Sequence, residues 1–302
     1  MPHNKVTIVE VGPRDGLQNE AESIPTDIKL AFIEKLVASG LKNIEAAAFV
    51  SPKWVPQMAD ASDVMAGLDG KFPDVSFPVL IPNVKGLERA LESGVKRVAV
   101  VTAASETFNQ KNINQSIEDS LKGMAEIIAL ARAQNVLVRG YLSTSFVCPY
   151  EGKIAPEKVA ELAQRMLELG VDEVSLGDTI GAASPRDIQT VLSWAFKLGL
   201  KSEQLALHCH DTYGTALVNI WAGYNMGIRT FDSSAGGLGG CPYAPGASGN
   251  VATEDVVYLF QALGIETGVN LNLLAEASAL LQAHLGRKLP SKQLQRLLSA
   301  CN

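Results

Sequence analysis

The sequence has few cysteines. Its 302 residues contain four, at Cys148, Cys209, Cys241 and Cys301. They are too few and too widely spaced for the disulfide framework of a small secreted protein, and a chain of this length can bury a large core without cross-links. The first residues also lack the cationic and apolar pattern of a secretory signal. We therefore expect a reduced, cytoplasmic protein.

The sequence also lacks long apolar runs and a strong excess of one charge. No stretch approaches about 18 uninterrupted apolar residues, so we expect no membrane span. The formal net charge of −6 disfavours binding to nucleic acid or to an anionic membrane surface. A small anionic ligand would therefore need a local basic pocket.

What the sequence does have is an alternation of short β-branched segments with longer amphipathic ones. Residues 6–11 (VTIVEV) are typical of a strand, and residues 26–39 carry a helical apolar stripe that ends at Gly40. The pattern recurs and predicts eight strand–helix units. The expected strands are 6–11, 43–50, 76–81, 97–102, 136–143, 173–176, 205–210 and 228–233.

Eight such units predict an α/β fold, a (β/α)8 TIM barrel, with an additional C-terminal helical segment. We expect the barrel over about residues 5–265 and the extension over about residues 266–302, with a helix near 271–285, all in one domain. A doubly wound open sheet is the alternative. It is disfavoured because no G-x-G-x-x-G motif follows the first strand.

A barrel carries its chemistry at the carboxyl ends of the strands and in the loops that follow them. The candidates that meet this criterion are Arg14, Asp15, Glu45, Tyr141, Ser175, Asp178, His208, His210, Cys241 and Asn250. They come from six of the expected strands. The sequence therefore predicts that they meet at one mouth of the barrel.

His208 and His210 are the most informative pair. Alternate residues of a strand share a face, so both imidazoles point together and Cys209 packs against the outer helices. The pair predicts a metal site, with two core histidines bonded to the backbone as the alternative. Asp15 and Asn250 are plausible oxygen ligands. This donor set suits Mg²⁺ or Mn²⁺, while Zn²⁺, Co²⁺ and Fe²⁺ stay open.

Residues 236–246 contain five glycines and no lysine, so they do not form a Walker loop. We interpret them as a lid that carries Cys241, a candidate thiolate nucleophile or proton donor, with a passive turn as the alternative. Arg14 offers a fixed set of donors to a carbonyl that becomes an enolate. Glu45, costly to bury alone, is its natural partner.

Five motifs resemble the 3-hydroxy-3-methylglutaryl-CoA lyase family. They are GPRDGLQNE (12–20), FVSPKWVPQM (49–58), SLGDTIG (175–181), HCHDTYG (208–214) and GLGGCPYAPGASGN (237–250). The resemblance spans essentially the whole chain, and the last two motifs are highly specific. Arg14, Asp15 and Glu45 also match the signature of the DRE-TIM metallolyase superfamily.

The resemblance implies retro-Claisen cleavage of (S)-3-hydroxy-3-methylglutaryl-CoA to acetyl-CoA and acetoacetate, in leucine or ketone-body catabolism. It implies one Mg²⁺ or Mn²⁺ per active site, an acyl-CoA substrate and a homodimer. The implied metal ligands are Asp15, His208, His210 and Asn250. The implied catalytic residues are Arg14, Asp15, Glu45, His208 and Cys241, with Asp15 or His208 as the base. The implied substrate contacts are Gln18, Tyr141, Ser175 and Asp178, and the implied CoA contacts are Lys111, Asn112 and Arg139.

The sequence departs from the family pattern after Glu45. The family carries E-x-T-S-F-V there, whereas this chain has Ala46, Ala47 and Ala48. Loss of a hydroxyl removes a hydrogen bond worth about 0.5–1.5 kcal/mol, so we hypothesise that bulkier 3-substituents are accepted. A related Claisen synthase or 4-hydroxy-2-oxoacid aldolase is the alternative enzyme, and a metal-stabilised acyl-CoA-binding barrel is the alternative outside catalysis.

Overall fold

Parallel strands alternate with helices through the computed structural model, which describes residues 4–240 and 249–300. We number only the barrel strands. They are β1 (Thr7–Glu10), β2 in two segments (Asn43–Ile44 and Ala47–Ala48), β3 (Val79–Leu80), β4 (Arg97–Ala103), β5 (Leu137–Ser143), β6 (Glu173–Asp178), β7 (Leu205–Cys209) and β8 (Thr230–Ser233). All eight expected strands are present, although several are shorter than predicted.

The ring of strands closes at β2. The sheet runs β2–β1–β8–β7–β6–β5–β4–β3, and the second segment of β2 then pairs with β3. The interruption lies at Glu45 and Ala46. The backbone N–H of Glu45 donates to Glu10 of β1 at 2.8 Å, and that of Ala46 donates to Pro78 beside β3 at 3.0 Å. The sheet therefore has no free edge, which confirms the predicted barrel and rules out the open sheet.

Helices surround the barrel. They are α1 (Thr26–Ala38), α2 (Ala61–Leu68), α3 (Val84–Glu92), α4 (Glu106–Ile113), α5 (Ile117–Ala133), α6 (Pro156–Glu168), α7 (Pro185–Lys197), α8 (Ala216–Asn225), α9 (Thr253–Ala262), α10 (Leu271–Leu285) and α11 (Lys292–Ala300). Helix α10 packs on α1 and α9, with Leu274, Ala277 and Leu281 buried. The predicted C-terminal helix thus covers the flank of the barrel.

Local sequence rules account for most helix ends. Proline begins α6 and α7 at their first position, where its missing N–H costs nothing. Gly40 follows α1 with a φ of 102°, and a Cβ there would lie 2.3 Å from the carbonyl oxygen of Gly268. Only glycine fits this turn, so α1 ends where the sequence predicts.

The loops at the carboxyl end of the barrel contain more regular secondary structure than predicted. The predicted helix within 113–134 is α5 alone, whose N-terminus is capped by Ser116. The polar helix α4 precedes it, and a small hairpin joins Val147–Cys148 to Gly152–Lys153. Helix α11 lies within the predicted C-terminal helical extension, although only the helix near 271–285 was assigned there. No helix among the described residues has the length and apolar character needed to cross a membrane.

Candidate active site

A cleft of about 180 Å³ opens at the carboxyl end of the barrel. Eight of the predicted site residues line it: Arg14, Asp15, Gln18, Asn112, Tyr141, Ser175, His208 and His210. The lining also includes the apolar side chains of Leu80, Val101, Phe108 and Leu142. The barrel thus brings charged and apolar side chains that are far apart in the sequence into one cleft.

A single tight turn carries Arg14 and Asp15 into the cleft. Residues Gly12–Gly16 form one π-helical turn after β1, in which the N–H groups of Asp15 and Gly16 donate to Val11 at 2.7 and 3.1 Å. A Cβ on Gly12 would lie 2.5 Å from a carboxylate oxygen of Glu10. The glycine is therefore needed for this close approach, which presents two neighbouring charged side chains to the same space.

Arg14 is held from two sides. Its Nε donates to Glu45 at 2.7 Å and its Nη1 donates to Asp15 at 2.8 Å. Burial opposes the charged guanidinium, but these two carboxylates raise the pKa of Arg14 above its ordinary value. Burial also raises the pKa of Glu45, against the effect of Arg14. Arg14 is therefore a fixed, oriented cation at the edge of the cleft, and Glu45 is its partner as predicted.

His208 and His210 face the same space, as the alternation along β7 predicts. Their Nε2 atoms are 3.2 Å apart. Burial and the neighbouring His208 lower the pKa of His210 to about 3, so His210 is neutral and offers a lone pair. Cys209 points away and is buried, and burial raises the pKa of its thiol.

The imidazoles and Asp15 form a potential cation site. One ligand atom from each of Asp15, His208 and His210 lies within 4.8 Å of the others. Burial raises the pKa of Asp15, but Arg14, His208 and His210 and a bond from Asn250 lower it to about 2. Asn250 donates to Asp15 at 2.8 Å, while its buried Oδ1 has no hydrogen-bond partner among the described residues. This donor set of hard oxygens and imidazole nitrogens fits a divalent cation.

Other predicted residues lie at the edge of the cleft or behind its wall. Asp178, at the end of β6, accepts from the N–H of Ala183 at 3.2 Å, and burial raises its pKa to about 7. Lys111 is exposed, with its Nζ 4.1 Å from the ring centre of Tyr150. Cys241 lies outside the described residues.

Arg139 requires a correction. We predicted that it contacts CoA, but it is 1% exposed, inside the barrel. Its Nε donates to Glu173 and its Nη2 donates to Asp232, each at 2.7 Å. Its Nη1 lies 3.2 Å from the hydroxyl of Tyr141. The prediction was wrong because Arg139 lies within a strand, where burial is expected. Its charge is balanced inside the barrel by Glu173 and Asp232, which belong to other strands.

Asp232 was missed by the sequence analysis. It is 1% exposed on β8 and lies beside His208 in the register of β7 and β8. One of its oxygens accepts from Ser175 at 2.7 Å and lies 3.3 Å from Nδ1 of His208. Burial opposes the anion, but Arg139 and His208 hold the pKa of Asp232 below its usual range. A charged residue inside a predicted buried strand was the signal that could have found it.

Comparison with known proteins identifies the family. The HMGL-like family model matches residues 5–281. The mitochondrial hydroxymethylglutaryl-CoA lyase of Bos taurus is 53% identical over 291 residues, covering 96% of this chain and 89% of that protein.

Solved structures agree with this result. A hydroxymethylglutaryl-CoA lyase from Pseudomonas aeruginosa superposes with a TM-score of 0.95 at 49% identity, covering 98% of both chains. An HMG-CoA lyase from Acinetobacter baumannii, in complex with coenzyme A and 3-methylmalate, gives a TM-score of 0.91 at 40% identity, covering 97% of this chain and 95% of that one. This chain therefore belongs to the HMGL-like family, among the hydroxymethylglutaryl-CoA lyases.

Proposed function

We propose that the protein cleaves 3-hydroxy-3-methylglutaryl-CoA to acetyl-CoA and acetoacetate. The observation that carries this proposal is the cleft itself, in which the fixed cation Arg14 lies beside Asp15, His208 and His210. A retro-Claisen cleavage needs both a site that removes a hydroxyl proton and a cation that receives an enolate oxygen. Family membership and the relative solved with coenzyme A and 3-methylmalate support the acyl-CoA substrate.

The proposal includes a divalent cation, Mg²⁺ or Mn²⁺, held by Asp15, His208, His210 and Asn250. This assignment is supported by the converging ligand atoms and by Oδ1 of Asn250, which has no hydrogen-bond partner in the described part of the chain. Such a cation, when bound, supplies positive charge that lowers the pKa of the substrate hydroxyl and orients its free carboxylate. The neutral state of His210 suits it to this role, because only an unprotonated nitrogen ligates a metal.

Each step of the reaction is then assigned to a different side chain. Asp15, or His208 where its Nε2 is not engaged by the cation, removes the proton of the tertiary hydroxyl, and the carbon–carbon bond breaks as that oxygen becomes the ketone of acetoacetate. The bonding electrons pass to the acetyl-CoA fragment as an enolate, whose oxygen Arg14 stabilises while Glu45 holds the guanidinium in place. Cys241 donates the proton that the enolate carbon takes up. This role is supported by the sequence, in which Cys241 directly follows Gly240, a residue that lines the cleft.

The remaining assignments follow from the same cleft. We propose that Gln18, Tyr141 and Ser175 contact the acyl group, that Asp178 supports the wall behind it, and that Lys111 and Asn112 contact CoA at the rim. We further propose that the chain acts as a single lyase domain over residues 1–302, as a cytoplasmic homodimer. The packing of α10 against α1 and α9 supports the single domain.

One assay tests the proposed reaction. The purified protein is incubated with 3-hydroxy-3-methylglutaryl-CoA and Mg²⁺ or Mn²⁺, and acetoacetate is measured. We expect turnover that EDTA abolishes and either cation restores. Absence of acetoacetate, with activity instead towards 2-oxoacids and acetyl-CoA or towards 4-hydroxy-2-oxoacids, would favour the related synthase or aldolase. Binding of acyl-CoA without turnover would favour a binding protein.

The same assay with larger 3-alkyl substrates tests the acyl range. Ala46, Ala47 and Ala48 are buried and are absent from the described cleft lining. Any effect of these alanines on the acyl group would therefore be indirect, through the side chains that line the cleft. We propose that a bulkier 3-substituent is accepted, and we expect its kcat/KM to approach that of the methyl substrate. Strong discrimination in favour of the methyl substrate would contradict this part of the proposal.

A further inference from the structure

Asp232 connects the buried interior of the barrel to the cleft. Its Oδ1 accepts from Nη2 of Arg139 at 2.7 Å, and the other end of that guanidinium donates to Glu173 at 2.7 Å. Its Oδ2 accepts from the hydroxyl of Ser175 at 2.7 Å and faces Nδ1 of His208 at 3.3 Å. The carboxylate is therefore fixed on one side by an ion pair and presents its other oxygen to an imidazole.

A neutral imidazole carries its proton on one nitrogen only, and that choice decides which nitrogen has a free lone pair. Asp232 is 1% exposed and acts as an acceptor towards Arg139 and Ser175. An ionised carboxylate has no proton to give, so Nδ1 of His208 must donate to it. Nε2 of His208 then carries the lone pair, and it is this atom that lies 3.2 Å from Nε2 of His210 and 3.9 Å from Asp15.

We propose that Asp232 is a positioning residue that fixes the tautomer and ring orientation of His208, with Arg139 holding Asp232 in place. The opposite tautomer would direct an N–H into the space shared with Asp15 and His210, where it cannot ligate a cation. This assigns a role to the buried Arg139–Asp232 ion pair, which does not itself line the cleft. The inference rests on the proposed cation site, but its first test needs neither a cation nor turnover.

The first test is the tautomer in the wild-type protein. The chain contains four histidines, so the ring nitrogens can be assigned by ¹⁵N NMR, with His208→Gln identifying the signals of His208. In metal-free protein, at a pH where the ring is neutral, we expect the proton on Nδ1. A proton on Nε2 would overturn the proposal, and this measurement needs no variant of Asp232 to fold.

The second test is Asp232→Asn. Arg139 donates to one side of residue 232, so the amide oxygen must face Arg139 and the NH₂ group must face His208. The hydroxyl of Ser175 can turn to accept from this NH₂ group, but Nδ1 of His208 must also become an acceptor. We therefore expect the proton to move to Nε2 and Mn²⁺ affinity, measured by calorimetry or EPR, to fall about 10–100-fold.

A matched substitution controls for the loss of a buried carboxylate. Glu254 is 0% exposed and accepts from the N–H of Gly236 at 2.9 Å and from Ser278. Among the described residues it makes no hydrogen bond or ion pair with Asp15, His208 or His210. Glu254→Gln should leave both the His208 tautomer and Mn²⁺ affinity unchanged. If Asp232→Asn folds and keeps the wild-type tautomer and Mn²⁺ affinity, the proposal is wrong.

The outcomes separate this inference from the proposed reaction. Protein that binds Mn²⁺ and holds His208 protonated on Nδ1, yet releases no acetoacetate, would support the role of Asp232 and contradict the lyase activity. Lyase activity with the proton of His208 on Nε2 would support the proposed reaction and contradict the role of Asp232.

Discussion

Two pairs of carboxylates at the same end of the barrel behave in opposite ways. The cation-paired carboxylates are Asp15 and Asp232, and the amide-bound carboxylates are Glu10 and Glu254. Asp232, Glu10 and Glu254 are all at most 1% exposed. The pKa of Asp232 nevertheless lies below its usual range, whereas burial raises the pKa values of Glu10 and Glu254 to about 7. Depth of burial alone therefore does not decide the charge.

The difference lies in the partners. The cation-paired carboxylates face Arg14 or Arg139 and also His208, and these groups together outweigh the loss of solvation. Arg14 alone does not do so at Glu45, whose pKa is raised by burial. The amide-bound carboxylates accept bonds from neutral donors, mainly backbone N–H groups and hydroxyls. Such donors compensate burial only in part. The first pair keeps negative charge beside the cleft, and the second pair connects segments of the backbone near it.

Breaking a cation–carboxylate pair should have the largest effect. For Arg14→Gln we expect kcat to fall about 10²–10³-fold with little change in KM, the typical cost of removing a donor to a developing oxyanion. Steady-state kinetics of acetoacetate release provide the measurement. Arg132→Gln is the control, because that arginine is 42% exposed on α5 and pairs with Asp172. A raised KM with unchanged kcat would show that Arg14 binds the ground state.

The amide-bound pair should give stability a pH dependence. The pKa of Glu254 is raised from 4.5 to about 7 in the folded protein, so the folded state binds this proton more tightly than the unfolded state. Its contribution to the free energy of unfolding is complete below the unfolded pKa of 4.5 and is lost as pH rises through 7. The expected loss is about 3 kcal/mol.

Urea unfolding at about pH 5 and about pH 8 measures this loss. Glu254→Gln mimics the protonated acid and should remove this part of the pH dependence, while Glu10 and Asp178, whose pKa values are also raised to about 7, keep their own parts. Asp15 has the opposite sign, because its pKa is lowered from 3.8 to about 2 and its contribution is lost only as pH falls through that value. If the pH dependence of the free energy of unfolding is the same in Glu254→Gln as in the wild type, the pKa of Glu254 is not raised in the folded protein.

Neutralising the other amide-bound carboxylate should have the smallest effect. Oε1 of Glu10 accepts from the N–H groups of Gly12 and Ala235 at 2.7 and 2.8 Å, and Oε2 accepts from the hydroxyl of Thr253 at 2.6 Å. In Glu10→Gln the amide oxygen keeps both N–H bonds, and the NH₂ group can donate to Thr253. Near neutral pH we expect the free energy of unfolding to change by less than about 1 kcal/mol. We expect a change in kcat that corresponds to less than the same difference in activation free energy.

Glu10→Ala is the contrasting variant, because it leaves two buried N–H groups without an acceptor. Each unsatisfied group costs about 1–3 kcal/mol, so thermal unfolding should distinguish the two variants. If Glu10→Gln lowers the stability as much as Glu10→Ala does, the negative charge of Glu10 is required. The two pairs of carboxylates would then not differ in the way proposed.

The sequence determined the barrel and much of the charged side of the cleft. The period of the apolar residues fixes the strands and helices, since each period allows only one regular structure with a continuous buried face. The same two-residue period places His208, in β7, and His210, directly after it, on one face. The strand-end rule brings Arg14 and Asp15 to the same cleft, because all strands of a parallel barrel end on one side.

Only the tertiary structure decided which charges are partners. The burial of Arg139, its ion pair with Asp232 and the contact of Asp232 with His208 join residues from β5, β8 and β7. No local pattern encodes such contacts, since they depend on how neighbouring strands align around the ring. The pKa of each buried acid depends on the same alignment, because it is set by the donors and cations that other strands bring within a few ångströms.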